Sequence, residues 1–99
     1  MDYRSTAWKK KRASVLRRDQ YRCTNCKRFG KFRDANTAHH IFPVEFFPQY
    51  EWESWNLTSL CNQCHDRMHD RESHELTEEG RKLLEKTARK NNIELTERK

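Results

Sequence analysis

The chain has 99 residues, of which 33% are hydrophobic and 36% are charged. This length fits one small domain, predicted to span residues 1–99, and so few apolar residues can form only a thin core. We therefore expect a bound metal to contribute to stability. The longest apolar stretches are fragments such as 41–44, which excludes a membrane span. No apolar run follows the amino terminus, so we predict no signal peptide and expect a cytoplasmic protein that is not secreted.

The net charge of +6 is unevenly distributed along the chain. Residues 1–34 carry 12 Lys or Arg against 3 Asp or Glu, a net charge of +9, whereas residues 35–99 carry 9 against 12, a net charge of −3. A strongly basic segment is typical of proteins that bind a polyanion, most simply a nucleic acid. A solvated charged surface is the alternative, and it suits the mixed second segment better.

A first helix is predicted over about residues 5–18. Ser5 is a favourable N-cap, and Trp8, Val15 and Leu16 recur at helical spacing on one side. The other side is basic, and an arginine follows the helix. The residues predicted to contact the phosphate backbone of a nucleic acid are Lys9, Lys10, Lys11, Arg17, Arg18 and Arg22.

The middle of the chain is predicted to contain shorter elements. Residues 31–41 are expected to be extended, and Pro43 and Pro48 bracket an irregular aromatic segment. A second helix is predicted from Cys61 to near Glu72, where helical spacing returns. The aromatic residues of this region are interpreted as a small core packed against the cysteines, with base stacking as the alternative: Phe42, Phe46, Phe47, Tyr50, Trp52 and Trp55.

A last amphipathic helix is predicted over about residues 77–91. It starts after Thr77, which is a suitable N-cap, and stops at Asn91 and Asn92. Its apolar side is interpreted as a packing stripe, with a partner-binding face as the alternative. The stripe consists of Leu76, Leu83, Leu84 and Ala88.

Four cysteines form two pairs with two residues inside each, Cys23 with Cys26 and Cys61 with Cys64. In a reducing compartment such pairs favour a metal site over disulfides. Two thiolates from each pair complete a tetrahedral zinc site, and the 34 residues between the pairs would form an insert enclosed by it. Four buried free thiols are the alternative.

The cysteines also admit two other classes of protein. The run CNQCH, residues 61–65, matches the attachment pattern of c-type haem. Haem attachment needs an exported protein and would leave Cys23 and Cys26 without a role. A redox protein that uses the two cysteine pairs would require disulfide chemistry. One zinc ion per chain and no redox-active dithiol would exclude it.

The histidines predict a second metal site. His65 and His69 are four residues apart on the predicted second helix, so they share one face and could chelate one ion. Cys64 points about 100° away from His65 around such a helix, which predicts separate thiolate and imidazole sites. His39 and His40 are adjacent in the extended segment, so their side chains point to opposite faces. A solvated helix face is the alternative for the i, i+4 pair alone.

Three runs, AHHI, NLTSLC and CNQCHDRMH, resemble the HNH endonucleases, and the spacing is similar to that of colicin-type DNases. The run WKKKRASVLRRDQYRCTNC is similar to the lead-in of small phage HNH nucleases, in which four zinc-binding cysteines surround the same motif. The resemblance covers roughly residues 5–70. It implies an α+β fold with a ββα-metal (HNH) core over about residues 20–72, an N-terminal basic helix, a structural four-cysteine zinc site and a C-terminal helix.

The resemblance also implies a role for each site residue. His39, His65 and His69 would bind a catalytic divalent ion, His40 would be the general base, and Asn56 would hold the loop and the His40 imidazole in orientation. Many relatives have Asp where His39 stands. Three imidazoles favour zinc, nickel or cobalt, but activity with magnesium or manganese is common in the family, so the expected ion is Mg²⁺, Mn²⁺, Ni²⁺, Co²⁺ or Zn²⁺.

The function implied by the resemblance is hydrolysis of DNA, expected to be double-stranded, leaving 5′-phosphate and 3′-hydroxyl ends. One site per chain predicts nicking, and no base-reading module is visible, so we expect weak sequence preference. The resemblance to phage nucleases suggests a role in genome packaging with a terminase, in the host cytoplasm. The alternative is a zinc-stabilised module that binds nucleic acid without cutting it.

Overall fold

The computed structural model describes residues 1–95, so the last four residues of the predicted domain lie outside the described part. In chain order the elements are α1 (Thr6–Arg18), α2 (Thr24–Arg28), β1 (Thr37–His40), β2 (Leu57–Leu60), α3 (Asn62–Met68) and α4 (Glu78–Lys90). Two 3-10 turns, Pro48–Tyr50 and Ser54–Asn56, lie between the strands. Within residues 1–95, the helices are all too short or too polar to cross a membrane.

The two strands form an antiparallel ladder in which Thr37 pairs with Leu60 and His40 pairs with Leu57. Helix α1 packs on both strands, and α3, which follows β2 directly, contacts both strands as well. This order of strand, strand and helix confirms the predicted α+β class. The adjacent histidines therefore lie at the centre of the fold, between α1 and α3.

Strand β1 is shorter than the extended segment predicted over 31–41. Residues before the strand hydrogen-bond to the chain that follows α1 instead of lengthening the sheet. The N–H of Cys23 donates to the Arg33 carbonyl at 2.8 Å, and the N–H of Ala35 donates to the Tyr21 carbonyl at 2.8 Å. Their backbone groups are thus satisfied locally, so the ladder begins only at residue 37.

Helix α1 begins as its sequence predicts. The Ser5 hydroxyl oxygen accepts a hydrogen bond from the Trp8 N–H at 3.1 Å, which satisfies one of the free donors of the first turn. The apolar side then packs against the sheet, and burial of each large side chain contributes about 1.5–3 kcal/mol. The buried cluster formed there consists of Trp8, Val15, Ala38 and Leu57.

The end of α1 is fixed to β2 by Asp19. Its carboxylate accepts a hydrogen bond from the Ser59 N–H at 3.1 Å and forms an ion pair with Arg18 at 2.9 Å. Partial burial by itself would raise the pKa of Asp19, but the hydrogen bonds from Arg18 and Ser59 outweigh burial and leave that pKa below its usual value. The carboxylate is therefore a stabilising contact between helix and sheet in its ionised form.

The aromatic core forms around Phe42, which is fully buried. Phe47, Tyr50 and Trp55 pack round it with ring centres 5.0–5.8 Å away, as expected for edge-to-face pairs. The prediction was wrong for two members, since Phe46 is 65% exposed and the other, Trp52, is 44% exposed. The cluster packs against Leu84 and Ala88 of α4, not against the cysteines, while Leu83 contacts both groups. The apolar stripe of the last helix is thus confirmed as a packing face.

Helix α3 ends at Met68, earlier than the predicted end near Glu72. The Asp70 carboxylate accepts hydrogen bonds from the N–H groups of Glu72 and Ser73 at 2.8 and 3.0 Å. Such a local side-chain bond stabilises a turn in competition with the helix. His69 consequently has extended backbone angles, φ −127° and ψ 142°, and is not on the helix.

Helix α4 returns across α3 and packs closely on it. The Thr77 hydroxyl accepts a hydrogen bond from the Gly80 N–H, and the helix stops at Asn91, followed by Asn92 with a left-handed φ of +56°. A side chain at position 80 would not fit, because a Cβ there would lie 2.5 Å from the Met68 carbonyl oxygen. Gly80 is therefore required by the close approach of the two helices.

Candidate active site and metal centres

Three histidines converge from two elements and a loop. His39 lies on β1, His65 lies in α3, and His69 directly follows α3. One ring nitrogen of each lies within 4.8 Å of the others, and the His39 ring centre is 5.3 Å from both partner rings. This spacing lets three imidazoles bind one ion and leaves coordination positions open. The helical i, i+4 geometry predicted for the pair was wrong, yet the turn after α3 still brings His69 to the site.

The chemistry of His39 fits a metal ligand. Its Nε2 atom is the one buried side-chain nitrogen or oxygen without a hydrogen-bond partner in residues 1–95. Burial, together with the neighbouring His65 and His69, lowers the pKa of His39 to about 3. Burial also lowers the pKa of His65. Both imidazoles are therefore neutral at pH 7 and present lone pairs, which is the state that binds a divalent cation.

His40 points away from this triad and is held differently. Its Nε2 atom lies 3.0 Å from the Glu51 carbonyl oxygen. A carbonyl oxygen can only accept, so Nε2 carries the proton and Nδ1 has the free lone pair. The Trp8 indole stacks on the imidazole with ring centres 5.3 Å apart and planes 24° apart. Partial burial lowers the pKa of His40, although the Glu51 hydrogen bond opposes this, so the ring is neutral at pH 7.

Asn56 fixes the segment between the strands from inside. Its Oδ1 atom accepts from the Phe42 N–H at 2.7 Å, and its Nδ2 group donates to the carbonyls of Phe42 and Tyr50 at 3.2 and 3.1 Å. The side chain is fully buried. These are the contacts expected of a residue that holds the loop, but the atom that bonds His40 belongs to Glu51. The influence of Asn56 on His40 is therefore indirect.

A cleft of about 400 Å³ opens over both histidine groups. It is lined on one side by Tyr3, Trp8 and Arg12 of the N-terminal segment, and on the other by the triad and His40. His74 also lines this cleft but is not one of the three converging histidines. The cleft therefore gives a ligand access to the triad and to His40 together.

The four cysteines form a second, separate cluster. All four are buried, and their sulfur atoms lie within 4.8 Å of one another. The Sγ of Cys26 is 3.9 Å from that of Cys61 and 3.6 Å from that of Cys64. Thiolates on one zinc ion with Zn–S bonds of about 2.3 Å would be about 3.8 Å apart, whereas bonded disulfide sulfurs are about 2.05 Å apart. The sulfurs are thus arranged as ligands of one tetrahedral ion.

The acidity of these thiols also points to a cation. Burial raises the pKa of Cys26, and it raises the pKa of Cys64 to about 12. Burial opposes ionisation of Cys61 as well, but hydrogen bonds from Cys64 and the other thiols outweigh it and lower its pKa to about 7. All four can be thiolates together only when a positive ion compensates their charge.

The basic residues of the predicted nucleic-acid surface differ in their contacts. The Arg18 guanidinium donates to the carbonyls of Ser54 and Leu57, and the Lys11 ammonium donates to the Ser54 hydroxyl at 2.8 Å. These two residues therefore fix α1 to the segment before β2. The other four side chains are exposed: Lys9, Lys10, Arg17 and Arg22.

Sequence reasoning did not place three residues, Trp8, Glu51 and Tyr3, beside His40. Trp8 has a core position on α1, and nothing in its spacing shows that its ring faces an imidazole. Glu51 acts through its backbone carbonyl, for which a sequence carries no signal. Tyr3, whose ring centre is 6.4 Å from that of His40, precedes the first helix and was not assigned.

Comparisons with known proteins agree with this geometry. The family model described as HNH endonuclease matches residues 23–71. The crystal structure of the HNH endonuclease of the deep-sea thermophilic bacteriophage GVE2, determined with a manganese ion, is 35% identical with a TM-score of 0.63, and the match covers 66% of this chain and 71% of that chain. No curated protein sequence matches the chain. With its histidine triad, four-cysteine cluster and strand–strand–helix core, the chain belongs to the HNH endonuclease family and is a DNA endonuclease.

Proposed function

We propose that the chain hydrolyses DNA at the histidine cleft, with one divalent ion on His39, His65 and His69 and with His40 as the general base. The observation that carries this proposal is the pairing of two features on adjacent residues. His39 presents a buried Nε2 without a partner, while His40 has its Nε2 bonded to the Glu51 carbonyl and its Nδ1 free.

The bound ion would supply Lewis-acid chemistry, polarising the scissile phosphate and stabilising the leaving 3′ oxygen. The donor set suits zinc, nickel or cobalt better than magnesium, because three imidazoles are softer than the oxygen ligands that magnesium prefers. Manganese was present in the crystals of the similar phage enzyme, which favours Mn²⁺ as a working ion here. The four cysteines are proposed to hold a structural Zn²⁺, which fits the sulfur separations.

The residues around His40 account for its proposed role. Nδ1 would take a proton from the attacking water, since a neutral imidazole is a competent base near pH 7. The Glu51 carbonyl, 3.0 Å from Nε2, would stabilise the positive charge that develops on the ring. The stacked Trp8 indole would help to hold the imidazole in this orientation. Asn56 would support this arrangement through the loop that carries Glu51.

The expected product ends, the nicking of one strand and the weak sequence preference follow from the chemistry of hydrolysis and from the distribution of charge. Attack of water on the phosphate with loss of the 3′ oxygen would leave 5′-phosphate and 3′-hydroxyl ends. One site per chain would nick one strand of double-stranded DNA per visit. Phosphates would pair with the exposed Lys9, Lys10 and Arg17, assisted by Lys11, Arg18 and Arg22, which gives little sequence preference. A role beside a phage terminase in the host cytoplasm is proposed from the phage relative.

The proposal is tested by nicking of supercoiled plasmid after chelation and separate re-addition of magnesium, manganese, nickel, cobalt or zinc. Wild type should convert plasmid to open circles, and His40→Ala should lose at least about a hundredfold in rate, as expected for a general base. His74→Ala is the matched control, because His74 lines the same cleft outside the triad. Inactivity of the folded, DNA-binding wild type with every metal would instead favour the non-catalytic module.

A further inference from the structure

The turn that carries the first cysteine pair has an unusual surface. We call residues 21–33 the aromatic knuckle. It contains five basic residues and no acidic residue, the basic ones being Arg22, Lys27, Arg28, Lys31 and Arg33. It also carries three exposed aromatic side chains, Tyr21 at 50%, Phe29 at 66% and Phe32 at 76% exposure. These exposed rings belong neither to the core clusters nor to the lining of the active-site cleft.

Each phenylalanine of the knuckle lies beside an arginine. The Cζ atom of Arg22 is 5.0 Å from the ring centre of Phe32, and that of Arg28 is 5.6 Å from the ring centre of Phe29. Such cation–π pairs hold the rings at the surface with a positive charge next to each. A ring exposed to 76% still offers most of its area to another planar group.

The backbone of the knuckle is held by buried cysteines and by hydrogen bonds within the turn. Cys23 and Cys26 are buried, and the turn closes with hydrogen bonds from the N–H groups of Phe29 and Lys31 to the Cys26 carbonyl, both at 3.0 Å. Gly30 has a φ of +76°, which glycine adopts without strain and which keeps the turn tight. The backbone that carries Phe29 is therefore joined directly to the buried Cys26, while its ring remains at the surface.

Basic side chains of a second element also lie near Phe29, while Glu78 and Glu79 line a neighbouring cleft that Phe29 shares. A small cleft between the knuckle and α3 is lined by Phe29, Lys31 and Arg33 on one side and by Arg67 on the other. A planar apolar surface with cations on both sides matches a nucleotide, whose base stacks while its phosphate pairs. A protein partner would have to bring acidic residues to the same cleft, whereas a nucleic acid carries the complementary charge at every residue.

We propose that the aromatic knuckle binds an unpaired strand of the DNA, with bases stacked on Phe29 and Phe32 and phosphates on the surrounding Lys and Arg. In a duplex the faces of the bases are covered by the neighbouring base pairs, so stacking on Phe29 and Phe32 would select single-stranded or locally opened DNA. The enzyme would thus prefer substrates with an unpaired segment, such as forks or gaps, over uniform duplex.

The test compares binding of a labelled single strand and of the same sequence as a blunt duplex. It uses the zinc-loaded 99-residue chain with His40→Ala, without added catalytic metal, and fluorescence anisotropy as the readout. Changing Phe29→Ala and Phe32→Ala together should weaken single-strand binding at least about tenfold, since each base–aromatic stack is a large part of such affinity. Duplex binding should change less than about threefold.

Two further double variants separate the effect of stacking from the effects of misfolding and of charge, and one single variant serves as a control. Phe29→Leu with Phe32→Leu keeps apolar volume without an aromatic face, so this double variant should also lose single-strand binding. If the double alanine variant does not fold, the double leucine variant is used to test the proposal. Phe46→Ala is the matched control, because Phe46 is 65% exposed outside the knuckle. Lys27→Ala with Lys31→Ala should weaken both DNA forms and flatten the dependence on salt.

Unchanged single-strand affinity in the alanine and leucine pairs would overturn the proposal. Equal losses on single strand and duplex would also overturn it, because they would indicate a phosphate surface without stacking. A change in self-association alone would identify a protein interface instead. Because this assignment rests on the nuclease function proposed above, plasmid nicking by the Phe29 and Phe32 variants with intact His40 is measured alongside. Failure of the nuclease would appear as an inactive wild type, whatever the knuckle binds.

Discussion

Replacing Asn56 by Ala should destabilise the fold by about 2–6 kcal/mol. The Asn56 side chain is fully buried and satisfies both the N–H and the carbonyl of Phe42, which is itself fully buried. Its removal leaves two buried backbone groups without partners, at about 1–3 kcal/mol each, and the Tyr50 carbonyl, which is less buried, adds little. Since a domain of this size is stable by about 5–15 kcal/mol, the loss is a large share of the total.

The measurement is the free energy of unfolding from urea titration of the zinc-loaded chain, followed by tryptophan fluorescence. Asn62→Ala is the matched control, because Asn62 is exposed at the first position of α3, and it should change stability by less than about 0.5 kcal/mol. Asn56→Asp should also be destabilising, because its carboxylate would face two carbonyl oxygens. Stability of Asn56→Ala within about 1 kcal/mol of wild type would refute the reasoning.

The same substitution should affect cleavage beyond its effect on folding. Asn56 binds the Tyr50 carbonyl, and the next residue, Glu51, holds His40. A looser loop would let the imidazole leave its orientation. Nicking is therefore measured at a temperature at which Asn56→Ala is fully folded. A nicking rate equal to that of wild type under these conditions would show that the loop does not orient His40.

Three further substitutions test other parts of the molecule. Cys61→Ala should unfold the domain at room temperature, because the four-sulfur ion contributes folding free energy directly; unchanged thermal stability would show that the cysteines are not a structural clamp. Trp8→Phe should retain most of the nicking rate, because it keeps an aromatic ring next to His40, whose ring centre is 5.3 Å from that of Trp8. Trp8→Ala should lose most of the rate, measured per folded molecule. Equal rates for the two folded variants would show that Trp8 has no role in cleavage. Folding lowers the pKa of Asp19, so its carboxylate stabilises the fold above the pKa of the unfolded chain, which is about 4, and this stabilisation is lost as the pH falls through the lower folded pKa. Asp19→Asn should therefore make the free energy of unfolding depend less on pH within that window and leave its pH dependence unchanged above it.

Much of the chemistry could be predicted from the sequence alone because it depends on residue type and short spacing. The two Cys-x-x-Cys pairs predicted a four-sulfur site before any fold was known, and the sulfurs do converge. Ser5, Thr77 and Asn91 predicted helix ends that depend only on neighbouring backbone groups. The resemblance to the HNH family supplied the strand–strand–helix order that the structure and the comparisons confirm.

Other features depended on which turns compete with helices and strands. The sequence pattern favoured a helix to Glu72, but the Asp70 carboxylate bonds the following N–H groups and ends it at Met68. His69 joins the triad from a residue with extended backbone angles, which a search for helical periodicity does not predict. The exposure of Phe46 and Trp52 was equally invisible, since hydrophobic type does not say which of six neighbouring aromatics the small core can accommodate.

The amino-acid sequence by itself indicated the residues proposed as metal ligands, the basic character and the family of this protein, because ligand chemistry and charge reside in the side chains themselves. Only the tertiary structure decided that Trp8 stacks on His40, that the Glu51 carbonyl sets its tautomer, and that Phe29 and Phe32 stay at the surface. The physical reason is that these contacts join residues far apart in sequence through backbone atoms and packing, which have no local signature along the chain.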